Sequence, residues 1–212
     1  MIVTELKEIS AGRFLVSFSD DSEIKLGLDL VTDFSLYSGK ELSDEEKQEL
    51  LSAAGLFACK ERALRMIGAR PLSCGELYDK LVQKGETPEN AEECIHWLTS
   101  IHYLDDENYA CMVVRHYAAK GYGVYRIKNE LYRRKVPKEL WDEALLEMPE
   151  TDDTVYNLLC RRLKSEAPDR AEMKRATDAL YRRGFSWDEI KAAVSRFHEE
   201  NLANGNGDFD SF

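Results

Sequence analysis

Long apolar runs are missing from this 212-residue sequence. No stretch approaches the roughly 20 consecutive apolar residues that cross a bilayer, so no membrane span is expected. Residues 1–10 show no basic region leading into an apolar core, and no secretory signal is read there. Paired cysteines are missing as well. Cys59, Cys74, Cys94, Cys111 and Cys160 are scattered and form no CxxC. That pattern fits free thiols in a reducing cytoplasm rather than a disulfide framework. His96, His102, His116 and His198 form no HExxH or i, i+4 pair, so no metal site is expected. Asp20, Asp21 and Glu23 lack the spacing and closing Glu of an EF-hand and read as a solvated turn. No GxSxG, P-loop or Rossmann glycine pattern occurs, which argues against an enzyme and against a bound cofactor.

Positive charge is also in deficit. The net charge is −11, which argues against a free-standing nucleic-acid binder. The average conceals strong segregation. Residues 1–58 carry 5 basic and 12 acidic side chains, while 108–140 carry 8 basic and 2 acidic. Residues 141–160 carry six acids and no base, and 161–183 carry 8 basic and 4 acidic. Two basic blocks therefore stand out in an acidic chain.

Phe14, Val16 and Phe18 alternate with Leu15 and Ser17, the period-two signature of a half-buried strand. With Ile24, Leu26 and Leu28 they predict an antiparallel meander over 2–9, 13–19 and 22–28. Beyond residue 43 the pattern is helical. Ser43…Glu46, Ser73…Glu76 and Ser186…Glu189 have the spacing of capping boxes. Pro88, Pro137 and Pro168 stand where helices could begin.

The tetrad Leu-Tyr-Arg-Arg occurs at 131–134 and again at 180–183. The repetition reaches far beyond it. Leu77 and Leu81 align with Ile127 and Leu131, then with Ala176 and Leu180. Ala91, Cys94, Ile95 and Leu98 align with Trp141, Ala144, Leu145 and Met148, then with Ile190, Ala193, Val194 and Phe197. The i, i+3, i+4, i+7 spacing is the buried face of a helix. Gly85, Lys135 and Gly184 fall between the two helices of each copy. A further helix precedes each pair, near 57–69, 106–119 and 152–164. The expected architecture is mainly α: three tandem three-helix repeats in an elongated, solenoid-like stack, with a small N-terminal β-meander. Its expected divisions are a meander and connector over 1–42, a linking helix over 43–56, repeats over 57–104, 105–149 and 150–200, and a disordered tail over 201–212.

Residues 63–85, with Ala63-Leu64, Arg70-Pro71-Leu72-Ser73, Glu76-Leu77, Lys80-Leu81 and Lys84-Gly85, resemble the first-repeat motif of the RecX family. Residues 103–110, "YLDDENYA", resemble its link into the second repeat. Residues 121–135, "GYGVYRIKNELYRRK", resemble its second-repeat helix, although Lys135 stands where the family commonly has Gly. The resemblance implies a cytoplasmic, monomeric, non-enzymatic regulator of the RecA recombinase, acting in DNA repair, recombination and the SOS response. It implies binding along the RecA filament on single-stranded DNA, limiting its extension or stability. Direct DNA contact is expected to be weak at this net charge.

The candidate partner-binding residues, for the filament or for phosphate, lie in the basic blocks. They are Arg126, Lys128, Arg133, Arg134 and Lys135 in the second repeat and Arg175, Arg182 and Arg183 in the third. Arg suits carboxylates and phosphates through its planar five-donor fork. The alternative is a solvated helix face, with Glu130 and Lys138 among its salt-bridging neighbours. Tyr132 and Tyr181 read as edge residues with the ring inside and hydroxyl outside. Trp141 reads as core; Trp97 and Trp187 are open between packing and base stacking. The "RPLS" stretch at 70–73 is explained as a turn between two helices. A rival function is a DNA-binding transcriptional regulator of helix-turn-helix type, which would place base-reading side chains at a helix N-terminus.

Overall fold

Alternating side chains in the first 28 residues produce the expected meander. The strands are β1 (Val3–Ser10), β2 (Arg13–Phe18) and β3 (Glu23–Gly27), antiparallel in the order β1-β2-β3. Val16 pairs with Leu6 on one side and Ile24 on the other. Val16, Phe18 and Leu26 turn to one face and form a core with Leu50 and Ala54. This computed structural model describes residues 1–165 and 168–205 and divides after Asp105 into two units.

The first unit adds four helices to the sheet: α1 (Leu28–Asp33), α2 (Asp44–Ala69), α3 (Cys74–Gln83) and α4 (Pro88–Ser100). α1 lies in the segment expected to be a plain connector. Ser43 caps α2 reciprocally: its hydroxyl accepts the Glu46 N–H at 3.1 Å and the Glu46 carboxylate accepts the Ser43 N–H at 2.9 Å. The expected break near residue 56 does not exist. α2 is one helix of 26 residues, because Gly55 alone costs only ~1 kcal/mol and nothing else interrupts it. It serves two cores. Leu50 and Ala54 pack with the sheet, and Cys59 and Ala63 pack with α3 and α4. The "RPLS" turn behaves as expected, with Arg70 ending α2 and Ser73 accepting the Glu76 N–H at 3.0 Å to start α3.

The second unit contains α5 (Asp106–Ala119), α6 (Val124–Arg133), a 3-10 turn (Lys138–Leu140), α7 (Trp141–Leu145), α8 (Asp152–Cys160), α9 (Arg170–Arg182) and α10 (Trp187–Gly205). The aligned residues Leu77 and Leu81, Ile127 and Leu131, and Ala176 and Leu180 are all buried. Gly85, Lys135 and Gly184 share a left-handed backbone, with φ of +92°, +55° and +90°. At each, the next residue's N–H reaches back to the carbonyl of Leu81, Leu131 or Leu180, closing the helix as a Schellman motif does. The repeat is thus kept at the level of backbone hydrogen bonds.

Several details differ from expectation. α7 has only five residues, because Pro149 bars helical geometry at Met148 and the chain leaves the helix early. α8 stops at Cys160 rather than 164, its end tightened by a bond from the Arg162 N–H to the Leu159 carbonyl. Pro168 precedes α9 without entering its first turn. Asp169 caps that helix instead, accepting the Glu172 N–H at 2.6 Å. α10 continues through 201–205, part of the expected tail, since no breaker precedes Gly205; residues 206–212 lie outside the described residues. Buried apolar residues of the second and third repeats form two separate clusters. Among the described residues no helix is long and apolar enough to cross a membrane.

Candidate partner-binding surface of the second and third repeats

One acid organises the basic face of α6. Glu130 is only 4% exposed, yet it stands on the helix that carries Arg126, Arg133 and Arg134. The spacing explains the convergence, because residues three and four apart on a helix are neighbours. The Arg133 guanidinium donates to the carboxylate at 2.6 Å, Arg126 pairs at 3.4 Å, and Arg134 lies at 3.9 Å. The Tyr117 hydroxyl, from α5, donates at 3.1 Å. Burial alone would push the Glu130 carboxyl up. Hydrogen bonds from Arg133 and Tyr117, with the arginine charges, more than offset this and hold it below the ordinary value of 4.5. One carboxylate facing three guanidiniums leaves two positive charges in excess. Arg133 stays 69% exposed while fastened, so its fork faces solvent in a fixed position.

Arg134 behaves differently. It donates to the Tyr109 hydroxyl at 2.7 Å and lies over the Tyr117 ring, largely covered. Lys135 occupies the left-handed closing position of α6 described above. Lys128 is half-buried and lies 4.0 Å from Asp142.

The third repeat has no counterpart of the acid, since Ala179 takes the place of Glu130. Arg175 and Arg182 are exposed and make no hydrogen bond or ion pair within the described residues. Arg183 is committed internally. It donates to the carbonyls of Lys120 and Gly121 at 3.2 and 3.1 Å and covers the Tyr122 ring. The backbone beside it completes the junction of the two repeats. The N–H groups of Gly123 and Tyr125, at the uncapped start of α6, donate to the carbonyls of Arg183 and Gly184, each at 3.0 Å. The approach is too close for side chains: a Cβ on Gly123 would lie 2.3 Å from the Gly184 oxygen, and one on Gly184 2.3 Å from the Arg126 nitrogen.

The eight candidates therefore divide. Arg126 and Arg182 line one cleft of about 470 Å³. Arg175 lies in a separate hollow with Arg162 and Lys164, two cations the candidate set omits. Arg134, Lys135 and Arg183 have structural tasks. Tyr132 and Tyr181 are exposed rather than ring-buried, because each follows a buried leucine by one residue and is turned about 100° away from the core. Trp141 is half-buried and donates its indole N–H to the Val136 carbonyl at 3.0 Å. Trp97 is half-buried under Lys60, and Trp187 is 51% exposed. Glu130 is the residue sequence reasoning undervalued. Its signal was there, as one of only two acids among eight bases over 108–140, three or four residues from three arginines. No group of three or more His, Cys, Asp or Glu that could hold a metal occurs among the described residues, and all four histidines are exposed.

Three family models match in order. They are the first three-helix domain of RecX over 59–98, the second over 105–145 and the third over 150–194. A curated relative named Regulatory protein RecX, from Vibrio campbellii, is 32% identical over 150 residues, covering 70% of this chain and 96% of the relative. Its namesake from Trichlorobacter lovleyi is 34% identical over 140 residues, covering 63% and 91%. Among solved structures, a crystal structure of regulatory protein RecX matches with a TM-score of 0.74 at 18% identity, covering 92% of this chain and 98% of that one. RecX from Lactobacillus salivarius matches with a TM-score of 0.63 at 20% identity, covering 68% and 97%. The structural likeness carries the fold, and the sequence relatives carry the kinship. With three family domains in register and two left-handed glycines and a lysine closing the same helix in each, the chain belongs to the RecX family of regulatory proteins.

Proposed function

We propose that this chain modulates the RecA recombinase, typically as an inhibitor, by binding along the RecA filament on single-stranded DNA and limiting its extension or stability. The observation that carries the reading is charge placement. In a chain of net charge −11, Arg126 and Arg133 share one buried acid at the surface of the second repeat, and Arg175 and Arg182 of the third make no hydrogen bond or ion pair among the described residues. Such groups recognise carboxylates or phosphates in planar, two-pronged fashion. Arg126, Lys128, Arg133, Arg175 and Arg182 make the contact. Arg134, Lys135 and Arg183 hold the helices that present them. No catalytic step is involved. The protein acts in the cytoplasm as a monomer.

The helix-turn-helix alternative needs a helix whose N-terminal side chains reach base edges. The start of α6 is occupied by backbone of the third repeat, and its arginines cluster towards the other end. That disfavours a duplex reader. The test is RecA ATP hydrolysis on single-stranded DNA with this protein added well below the RecA concentration. A fall in rate supports filament modulation. An unchanged rate, with sequence-selective duplex binding, supports the alternative.

A further inference from the structure

The cleft of about 470 Å³ beside the repeat junction has an unusual lining. Three aromatic side chains stand open to solvent in it: Tyr125 at 59% exposure, Tyr181 at 63% and Trp187 at 51%. Arg126 and Arg182 share the same walls, with the Asn129 amide, and among the described residues no acid lines the cleft. Exposed aromatic rings gathered in one concavity are costly to leave in water, and none of the three is needed to fill the core. Trp187 also borders a second groove of about 730 Å³ between α9 and α10. Lys174 and Lys191 lie along that groove, and the one acid among its described lining residues, Asp169, is engaged in capping α9. Flat rings flanked by cations, on a track that continues past one shared indole, fit one ligand chemistry above others.

We propose that this cleft binds a segment of single-stranded nucleic acid, stacking unpaired bases on Tyr125, Tyr181 and Trp187 and seating phosphates against Arg182, Arg126 and the lysines of the adjoining groove. Stacking suits single strands because every base has a π-face, whereas a duplex keeps its faces covered. Net charge makes stacking decisive. A chain of −11 repels a polyanion at long range, so phosphate contacts alone cannot hold the strand. Affinity must depend on the bases, and with few phosphate contacts its salt dependence must be shallow, about 0.7 of a log unit per contact for each tenfold change in salt. An acidic peptide would engage the two arginines but leave the three rings without a role.

The experiment uses the full chain without RecA, so its result stands apart from the filament reading. Either can fail while the other holds. Anisotropy of a labelled 15-residue deoxythymidine strand is compared with that of an abasic strand of equal length. The thymidine strand is expected to bind at least about fivefold more tightly. Tyr181→Ala and Trp187→Ala are each expected to weaken that binding about fivefold or more, and Tyr181→Phe to leave it within about twofold. Circular dichroism checks that each variant is folded. Equal affinity for the abasic strand would overturn the proposal, as would no binding to either strand. Tighter binding of an Asp/Glu decapeptide than of the thymidine strand would also overturn it. The strand comparison needs no variant and decides the matter even if a substitution unfolds the protein.

Discussion

Replacing Glu130 by glutamine tests the electrostatic heart of the second repeat. The glutamine keeps the shape and an acceptor for the Tyr117 hydroxyl, but it removes the charge that gathers three guanidiniums at 2.6, 3.4 and 3.9 Å. Breaking a fully buried ion pair costs about 3–5 kcal/mol. Here the acid is buried but Arg133 and Arg126 reach into solvent, and exposed pairs contribute only about 0.2–1 kcal/mol. The remaining loss is chiefly that of a charge-assisted hydrogen bond, about 1.5–3 kcal/mol. A destabilisation of about 2 kcal/mol results, which for a chain of this size lowers the melting temperature by about 4–8 °C. The pH dependence has a definite sign. The folded carboxyl titrates below its ordinary value of 4.5, so its stabilisation is complete above that value and fades as pH falls further. The gap between wild type and Glu130→Gln should therefore be widest near neutrality and close in acid. Thermal and urea unfolding from pH 3 to 7 measure it. A variant within about 0.5 kcal/mol of wild type at pH 7, or a gap that widens in acid, would refute the reasoning.

Further substitutions probe the backbone logic. Lys135→Gly removes a left-handed side chain and should stabilise the protein by about 0.5–1 kcal/mol, read as a higher urea midpoint. Gly184→Ala should cost well over the ~1 kcal/mol of Gly85→Ala. Both have positive φ, but only the Gly184 Cβ meets backbone, at 2.3 Å, while the Gly85 Cβ meets nothing within 4 Å. Hydrogen exchange at the Gly123 and Tyr125 amides should accelerate in Gly184→Ala and stay unchanged in Gly85→Ala.

What could be read from the sequence followed from local rules. Capping at Ser43, Ser73 and Ser186, alternation at 14–18 and the aligned pairs from Leu77 to Leu180 depend on neighbours a few residues apart. The helix-closing role shared by Gly85, Lys135 and Gly184 was legible from alignment, though the left-handed lysine was not, because its side chain disguises the requirement. What stayed hidden depended on distant partners. Arg134 and Arg183 look like Arg133 and Arg182 in sequence. They turn inward because Tyr109 and the carbonyls of Lys120 and Gly121 lie beside them, 25 and more than 60 residues away. The aromatic cleft is assembled from α6, α9 and α10, so no window of the sequence contains it. The fusion of the linking helix into α2 was missed for the opposite reason: the repeat boundary suggested a break that no local breaker supplies.

The central claim is that surface arginines of the second and third repeats are the working contact with the filament. Arg175 and Arg182 test it most directly, because they are exposed and make no hydrogen bond or ion pair within the described residues. Reversing both to Glu leaves the Glu130 network and the junction untouched, so circular dichroism and melting should match wild type. RecA ATP hydrolysis on single-stranded DNA, with the Arg175→Glu/Arg182→Glu protein below the RecA concentration, is predicted to proceed at the uninhibited rate. Inhibition equal to that of the wild-type protein, by a variant that is fully folded, would contradict the account.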